Sequence, residues 1–379
     1  MNQPMLLHIV ERLEGLLSKL PATIQKPILH ELTPLKELFL QQRPPRFILA
    51  GSIKRPPAEI VSILFDVPEA TVSNAIFRWQ NLSIGGHGTM AILDARGAAG
   101  SAETEIRDEL KQQPADIILF LDEGDDSRRA RKTEIENLRS CLSGNGPGLG
   151  KVVGISFHSE KTKSHGKGKT TDELTARLKE VIQGDDQLLE SIPVYPGEKP
   201  GKSFMSIICR NVPNQARIEM IRISRDREAQ RQVAQILVKS TSAICTAVGA
   251  QPIPLADLPI LTTLQLVMVS GIMYLSGRER SLRAATEFIG AIGANVGAGM
   301  LFREGARVLL KFLPGWGNVI CGVVAGAGTY AIGRAAIAFF LEGVSIKEAR
   351  RMYLASKKKR SRAELPPAKR SKRKRLIKQ

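Results

Sequence analysis

The sequence has little of what a secreted, disulfide-bonded or metal-binding protein needs. Its 379 residues include four cysteines, five histidines and two tryptophans, and aromatic residues make up 5% of the chain. The cysteines lie far apart with no C-x-x-C pair, which argues against a disulfide framework and predicts reduced, mostly buried thiols. The histidines have no metal-ligand spacing, and no serine or cysteine nucleophile motif is present. The pattern therefore gives no support to zinc or hydrolase chemistry.

The N-terminus also lacks a secretory signal, because residues 1–42 carry charges throughout and contain no continuous apolar core. Secretion is therefore not expected. Apolar residues at helical spacing predict two packed helices within residues 5–41, which are interrupted at Pro21 and ended by the Arg-Pro-Pro-Arg segment at 43–46.

A long apolar block is present at residues 252–341. It contains three uncharged runs, at 258–277, 288–302 and 312–333. The first run and the third are long enough to cross a bilayer, whereas the second is too short. The block is therefore either a soluble helical bundle or a region that inserts into a membrane or lies on it.

Glycines in this block have the G-x-x-x-G spacing that lets two helices touch. The two pairs are Gly293 with Gly297 and Gly322 with Gly326. Glycine lowers helix propensity by roughly 1 kcal/mol relative to alanine, so close helix packing is the reason we expect for this density. Self-association through these small-residue helices is one prediction.

Basic residues are concentrated at the C-terminus of the chain, whose formal net charge is +18. Residues 357–379 contain twelve Lys or Arg and one acid, Glu364, and are expected to be disordered. Such a tail binds anionic lipid head groups, binds nucleic acid through phosphates, or is only solvated. Its position after the apolar block favours lipid. The residues assigned to this membrane or polyanion contact are Lys357, Lys358, Lys359, Arg360, Lys372, Arg373, Lys374 and Arg375.

The segment after residue 46 has the pattern of an α/β domain. Apolar runs without alternation predict strands at residues 47–51, 91–94, 117–122 and 151–156, and helical patterns predict helices at 59–65, 102–112, 127–142 and 171–182. Such strands indicate a mostly parallel sheet covered by helices on both faces. Ligands bind at the carboxyl ends of strands in these sheets, where Gly51, Asp94 and Asp122 lie. A further helical pattern spans 214–250, and a charged helix is predicted at 346–355.

The turn after the first predicted strand resembles a phosphate cradle that has lost its key groups. Residues 51–58 read GSIKRPPA where the cradle requires G-x-x-x-x-G-K-[ST]. Pro56 takes the position of the second glycine and has no N–H to donate. Pro57 takes the position of the phosphate-binding lysine, and Ala58 lacks the hydroxyl that would hold Mg²⁺. Lys54 or Arg55 supplies a positive charge from a different position in this loop, but a charge does not replace the missing amide hydrogens.

Two other motifs bear on nucleotide chemistry. Asp94-x-x-Gly97 has the form that positions Mg²⁺ and meets a γ-phosphate, although turns after strands favour the same residue types. Residues 155–158 read ISFH, with no carboxylate to accept the guanine N–H groups, so nucleotide hydrolysis is not expected. The candidate nucleotide-binding residues are Gly51, Ser52, Lys54, Arg55, Asp94 and Gly97, and Asp94 is the candidate Mg²⁺ ligand.

With these motifs, residues 46–200 resemble the Era-type small GTPase domain of the P-loop class, with its first and fourth motifs degraded. Residues 236–343 are similar to a domain of unknown function that follows such GTPases in bacteria and also occurs in bacterial inner-membrane proteins. This second resemblance rests on PIPLADLP at 252–259, Gln265, LPGWG at 313–317 and TYAIGRA at 329–335. The resemblance implies GTP and Mg²⁺ as cofactors, whereas the altered residues 51–58 predict none.

The combined prediction is a mostly parallel, P-loop GTPase-like α/β sheet flanked by helices and followed by an all-α apolar C-terminal domain. The predicted boundaries are 1–45 (N-terminal helices), 46–200 (α/β domain), 201–251 (connecting helices), 252–343 (apolar helical domain) and 344–379 (charged helix and tail).

Three functions stay open at this point. The first is a non-catalytic or weakly nucleotide-binding pseudo-GTPase, which is associated with the cytoplasmic face of the inner membrane and scaffolds or regulates a partner such as an intact GTPase. The second is an active GTPase with an atypical phosphate loop. The third is a soluble cytoplasmic adaptor that binds nucleic acid through the tail.

Overall fold

The computed structural model divides the chain into two compact units. One is the α/β unit, Lys36–Asp226, and the other, here called the helical unit, comprises Met1–Leu35 and Arg227–Gln379. The predicted N-terminal helices, Ser52, Lys54, Gly297 and the tail beyond residue 363 lie outside the described residues. The structure describes Lys26 and residues 41–51, 55–66, 77–84, 88–98, 100–123, 128–146, 150–158, 169–182, 187–198, 200, 202–250, 257–293 and 316–363.

Six strands form a single sheet in the α/β unit. They are β1 (Arg46–Gly51), β2 (Gln80–Ser83), β3 (Thr89–Asp94), β4 (Ile117–Asp122), β5 (Lys151–Phe157) and β6 (Leu188–Val194). Their order across the sheet is β2-β3-β1-β4-β5-β6. The hairpin β2–β3 is antiparallel and all other neighbouring pairs are parallel. The predicted fold class is confirmed.

Four of the six strands follow from the sequence, and two do not. The central strands β1 and β4 are buried along nearly their whole length, as expected for apolar runs covered on both faces. The edge strand β2 has the polar sequence QNLS, and β6 contains Pro193, so neither has the apolar run that indicates a strand. Pairing with a neighbouring strand, rather than local composition, makes them strands.

Helices cover both faces of this sheet. They are α1 (Pro57–Phe65), α2 (Ser101–Gln112), α3 (Arg128–Asn145), α4 (Lys169–Val181), α5 (Lys202–Asn211) and α6 (Asn214–Ser224). Phe65 of α1 makes edge-to-face contacts with Phe47 of β1 and Phe204 of α5, with ring centroids 5.1 and 5.6 Å apart. A second apolar cluster joins the strands to α2, α3 and α4 through Leu110 and Leu138, among others.

The predicted helix at 214–250 is two helices. Arg225 follows α6 in a left-handed conformation, with φ of 53°, and thereby ends that helix. The next helix, α7 (Arg227–Gly249), already belongs to the helical unit. The sequence carries a sign of this break, because no large apolar residue lies between Ile223 and Val233.

The described part of the helical unit consists of five helices. They are α7 (Arg227–Gly249), α8 (Asp257–Leu275), α9 (Leu282–Gly293), α10 (Trp316–Phe340) and α11 (Ile346–Ala363). Helix α10 therefore extends beyond the end of the third uncharged run at Gly333 and includes Arg334. Gln265 of α8 donates a hydrogen bond of 2.9 Å to the Thr329 hydroxyl of α10, which ties these two helices together.

Helices α7 and α10 approach each other along glycines. A Cβ at Gly322 would lie 2.6 Å from the Thr246 carbonyl oxygen, and one at Gly326 would collide with the Thr246 side chain. A Cβ at Gly333 would collide with Val238. The contacts run in opposite sequence directions, so the two helices are antiparallel. The predicted helix contact at Gly322 and Gly326 is confirmed, and its partner is within the chain.

Buried thiols are also confirmed for the described cysteines. Cys141, Cys209 and Cys245 are all free and buried. Burial raises the pKa of Cys141 to about 12 and that of Cys209 and Cys245 to about 11 each. These thiols are therefore packing groups and not nucleophiles.

Candidate functional site

The candidate site lies at the carboxyl edge of the sheet, around the end of β1. Strand β1 pairs with β3 on one side and β4 on the other, so the chain changes direction across the sheet at this strand. Ligands of open α/β sheets bind at such a point. Gly51 closes β1 with φ of 101°, and a Cβ there would collide with the Leu121 carbonyl of β4. Glycine is therefore required for the close approach of the two strands.

The first turn of α1 is poorly suited to bind an anion. Pro56 is the N-cap and Pro57 the first helical residue, so neither contributes an N–H. The Ile60 N–H donates to the Pro56 carbonyl, as in an ordinary first turn. Glu59 places its own carboxylate in this turn, where it takes the favourable position at the positive end of the helix dipole.

Arg55 is already engaged by groups of the α/β unit. Its guanidinium lies 2.5 Å from the Glu59 carboxylate and 3.8 Å from that of Glu123, at the end of β4. It also lies over the Phe157 ring, 5.6 Å from the centroid. Of the two candidate phosphate-binding cations, Arg55 is therefore held by carboxylates, and Lys54 lies outside the described residues.

The candidate Mg²⁺ ligand is bound to an arginine. Arg96 Nε and Nη2 each donate a hydrogen bond of 2.7 Å to the two carboxylate oxygens of Asp94. Arg96 Nη1 donates a third, of 2.8 Å, to the Arg55 carbonyl oxygen. The side chains of Asp94 and Arg96 are 13% and 11% exposed. This arrangement ties the turn after β3 to the loop that precedes α1.

Gly97 lies in the same turn, in which the Ala98 N–H donates to the Ala95 carbonyl. Its φ of 69° at the third position of the turn is one that glycine adopts without strain. The buried Asn137 side chain of α3 donates a hydrogen bond of 3.1 Å to the Ala95 carbonyl oxygen and thereby stabilises the turn. The amide of Gly97 therefore belongs to a well-supported turn.

These residues do not fit the Mg²⁺–GTP group that the family resemblance implies. The Asp94 carboxylate would have to leave Arg96 to bind a cation, and the first turn of α1 presents two prolines and a carboxylate to the phosphates. In the described parts of the chain there is no group of three or more His, Cys, Asp or Glu residues that could hold a metal ion.

A pocket of about 700 Å³ lies beside this site, along the ends of β5 and β6. Arg55 belongs to it, whereas Gly51, Asp94 and Gly97 do not line it. The sequence did not point to its other polar side chains, which include His158, Tyr195 and Arg225. The signal that was available is the Tyr-Pro-Gly-Glu turn at 195–198, which directly follows a strand end.

His158 and Tyr195 form a stacked pair at the floor of this pocket. Their ring centroids are 4.7 Å apart at an interplanar angle of 22°. Burial lowers the pKa of His158 below its ordinary value of 6.5, and the charge of Asp122 only partly offsets this. Asp122 itself pairs with Arg177 of α4 at 3.0 Å and is 3% exposed. The imidazole is therefore neutral near pH 7.

The basic residues assigned to membrane contact begin on α11. Lys357, Lys358, Lys359 and Arg360 lie in the last turns of this helix, whereas Lys372 to Arg375 lie outside the described residues. Ser345 and Glu348 form a reciprocal capping box at its start, with hydrogen bonds of 3.1 and 3.3 Å. A capped helix thus leads from the helical unit into the basic tail.

One helix in the described parts of the chain is long and apolar enough to cross a membrane. It is the segment Gly322–Phe340 of α10, whose mean hydropathy is 1.5 and of which 61% is buried inside the protein. Val323 and Arg334 are among its exposed residues. Its partner α7 exposes Lys239 and Gln232. The exterior of this helix pair is therefore mixed, because the apolar side chains of Ile236 on α7 and Val323 on α10 are also exposed.

Comparison with known proteins gives one informative match. No family model matches the chain. Over 121 residues the chain is 32% identical to Magnetosome membrane protein 22 of Magnetospirillum gryphiswaldense, and the match covers 30% of this chain and 60% of that protein. The chain thus spans somewhat over half the length of the curated relative that it matches.

Proposed function

We propose that this protein is a membrane-associated pseudo-GTPase that neither binds nor hydrolyses GTP and that scaffolds or regulates a partner. The observation that carries the proposal is the bidentate bond between Arg96 and Asp94. A guanidinium occupies the carboxylate that would position Mg²⁺, and it bonds at the same time to the loop that would surround the phosphates. Arg96 therefore bonds the turn that would hold Mg²⁺ directly to the loop that would surround the phosphates.

The first turn of α1 supports the same conclusion independently. Phosphate binding at a helix start requires free amides and a favourable dipole end. Pro56 and Pro57 lack amide hydrogens, and Glu59 adds a negative charge where the phosphates would lie. An incoming triphosphate would therefore meet repulsion in place of hydrogen bonds.

Membrane association is supported by the name of the relative and by the charge of the C-terminus. We propose attachment to the surface of the anionic inner leaflet, on the cytoplasmic side, through α11 and the tail. Each basic residue near an anionic surface contributes about 1 kcal/mol. A spanning role for α10 is disfavoured because Arg334 is exposed within the apolar segment, and a charge near the bilayer centre costs roughly 3 kcal/mol.

Titration calorimetry with GTP, with and without Mg²⁺, tests the nucleotide part. We expect no heat of binding at millimolar GTP, either for the natural chain or for Asp94→Ala. Mg²⁺-dependent binding that Asp94→Ala abolishes would make the protein a working GTPase and overturn the proposal.

Sedimentation with vesicles tests the membrane part. We expect the full chain to bind vesicles that contain phosphatidylglycerol at low salt, and to release them at high salt. Replacement of Lys357, Lys358, Lys359 and Arg360 by glutamine should weaken binding. A matched control replaces four exposed cations of the α/β unit, Arg107, Lys111, Lys132 and Lys179. Equal binding by both variants, or no binding by the natural chain, would contradict this mode of attachment.

A further inference from the structure

Arg55 is the one described residue of the phosphate-loop segment 51–58 that lines the pocket along β5 and β6. This pocket is also lined by Phe157 and His158 at the end of β5 and by Val194 and Tyr195 at the end of β6. Ser62 and Ile63 of α1 also line it, together with Asp66, which directly follows that helix. A volume of about 700 Å³ lies within the range that holds small organic ligands.

Aromatic rings supply flat surfaces in this pocket. Tyr195 lies parallel to His158 and is the more exposed of the two, while His158 is buried. Phe157 lines the same pocket and is covered on one side by the Arg55 guanidinium. Stacking against such rings favours a planar group in a ligand. The neutral imidazole adds no charge to this surface.

The charges of the pocket disfavour a ligand with several negative charges and leave one guanidinium for a single carboxylate. The Arg55 charge is compensated by Glu59 and Glu123. Among the described residues, by contrast, no carboxylate pairs with the exposed guanidinium of Arg225. Asp66 and Glu198 also line the pocket and would repel a polyanion such as a triphosphate. One available guanidinium matches one carboxylate, which it binds in bidentate geometry.

The backbone holds two of these charged residues in an unfavourable conformation. Asp66 and Arg225 each end a helix with φ of 52° and 53°, respectively, in the left-handed region. Helices commonly end with glycine at this place, because a side chain is strained there. Strain of this kind often accompanies a binding site, and here both strained residues line one pocket.

We infer that this pocket binds a small aromatic monocarboxylate, with its ring against Tyr195 and Phe157 and its carboxylate on Arg225. The inference does not depend on the proposed loss of nucleotide binding, because neither Asp94 nor Gly97 lines the pocket, and Arg55, which does, is paired with carboxylates. It assigns a ligand-binding role to the α/β unit, for which the degraded loop provides none.

Ligand-observed NMR with the full chain and 4-hydroxyphenylacetate tests the inference. The matched compounds are its primary amide, which lacks the charge, and tyramine, which carries the opposite charge. We expect saturation transfer to 4-hydroxyphenylacetate. The amide should bind with an affinity lower by a factor of roughly ten or more, as for loss of a hydrogen bond to a charged group. The Arg225→Gln variant should show the same loss. Arg210→Gln, an exposed cation on α5 outside the pocket, should bind as the natural chain does.

Each outcome decides the question. Equal binding of the acid and the amide, or unchanged binding by Arg225→Gln, would overturn the inference, as would absence of binding at millimolar acid. Displacement of the acid by GTP would contradict the proposed pseudo-GTPase as well, whereas failure of the acid to bind leaves that proposal intact. Because Arg225 is exposed, its replacement tests the charge without risk to the core.

Discussion

Arg96 holds Asp94 by two hydrogen bonds of 2.7 Å, and its remaining nitrogen bonds to the Arg55 carbonyl at 2.8 Å. The pair is largely buried, so its loss leaves a carboxylate with poor solvation. We expect Arg96→Met to lower the free energy of unfolding by about 2 kcal/mol, measured by urea denaturation.

The control for this pair is an exposed ion pair in the same unit. Lys111 and Asp108 are 63% and 59% exposed, so Lys111→Met should change stability by less than about 0.5 kcal/mol. A double-mutant cycle with Asp94→Asn should show coupling above about 1 kcal/mol. Additive effects would mean that the two side chains do not stabilise one another.

The glycines of α10 give a second test, because two neighbours have opposite surroundings. Alanine at Gly326 would collide with Thr246, whereas a Cβ at Gly328 meets nothing within 4 Å. We expect Gly326→Ala to cost about 1–3 kcal/mol through overpacking. Gly328→Ala should instead gain about 0.5–1 kcal/mol through helix propensity. Thermal unfolding of the two full-length variants compares them directly, and equal shifts would contradict the packing of α10 on α7.

The buried imidazole of His158 predicts a pH dependence of stability. Burial lowers its folded pKa below 6.5, so the unfolded state binds more protons as the pH falls below that value. Its contribution is fully present above about pH 6.5 and is lost as the pH falls towards the folded pKa, with a slope of at most about 1.4 kcal/mol per pH unit. His158→Phe keeps an aromatic ring against Tyr195 and should flatten this slope. Parallel pH profiles for the two proteins would refute the assignment.

The raised thiol pKa values predict slow chemistry in the folded state. With Cys321 replaced by serine, the thiols at Cys141, Cys209 and Cys245 should react with a disulfide reagent at about pH 8 at least ~100-fold more slowly than in urea. The measurement is the rate of thiolate release. Rapid labelling of one thiol in the folded chain would show that its site opens to solvent.

Arg225 predicts a conflict between stability and binding. Glycine tolerates the left-handed conformation there, so Arg225→Gly should stabilise the α/β unit by up to about 1 kcal/mol while removing binding of the aromatic acid. The matched change Arg107→Gly lies within α2 and should destabilise the chain by about 1 kcal/mol. A destabilising Arg225→Gly would mean that the side chain supports the fold itself.

Part of the fold and of the candidate site could be predicted from the sequence. The apolar runs of β1, β3, β4 and β5 predicted a sheet that is covered on both faces. Because apolar and polar residues do not alternate in these runs, neither face of the strands is polar enough to lie against water. The shortage of amide hydrogens at the start of α1 was equally clear, since a proline has no N–H in any surroundings. The two strands that were missed, β2 and β6, owe their conformation to hydrogen bonds with strands distant in sequence.

The sequence by itself therefore determined the α/β class, the two prolines without amide hydrogens at the start of α1 and the helix-to-helix contact of Gly322 and Gly326. Only the tertiary structure decided that Arg96 takes the Asp94 carboxylate, because a guanidinium two residues away is equally able to point into solvent. It likewise decided that α7 is the partner of the α10 glycines, and that Arg225 and Tyr195 line the same pocket. These contacts join residues far apart along the chain, where local spacing carries no information about what will meet.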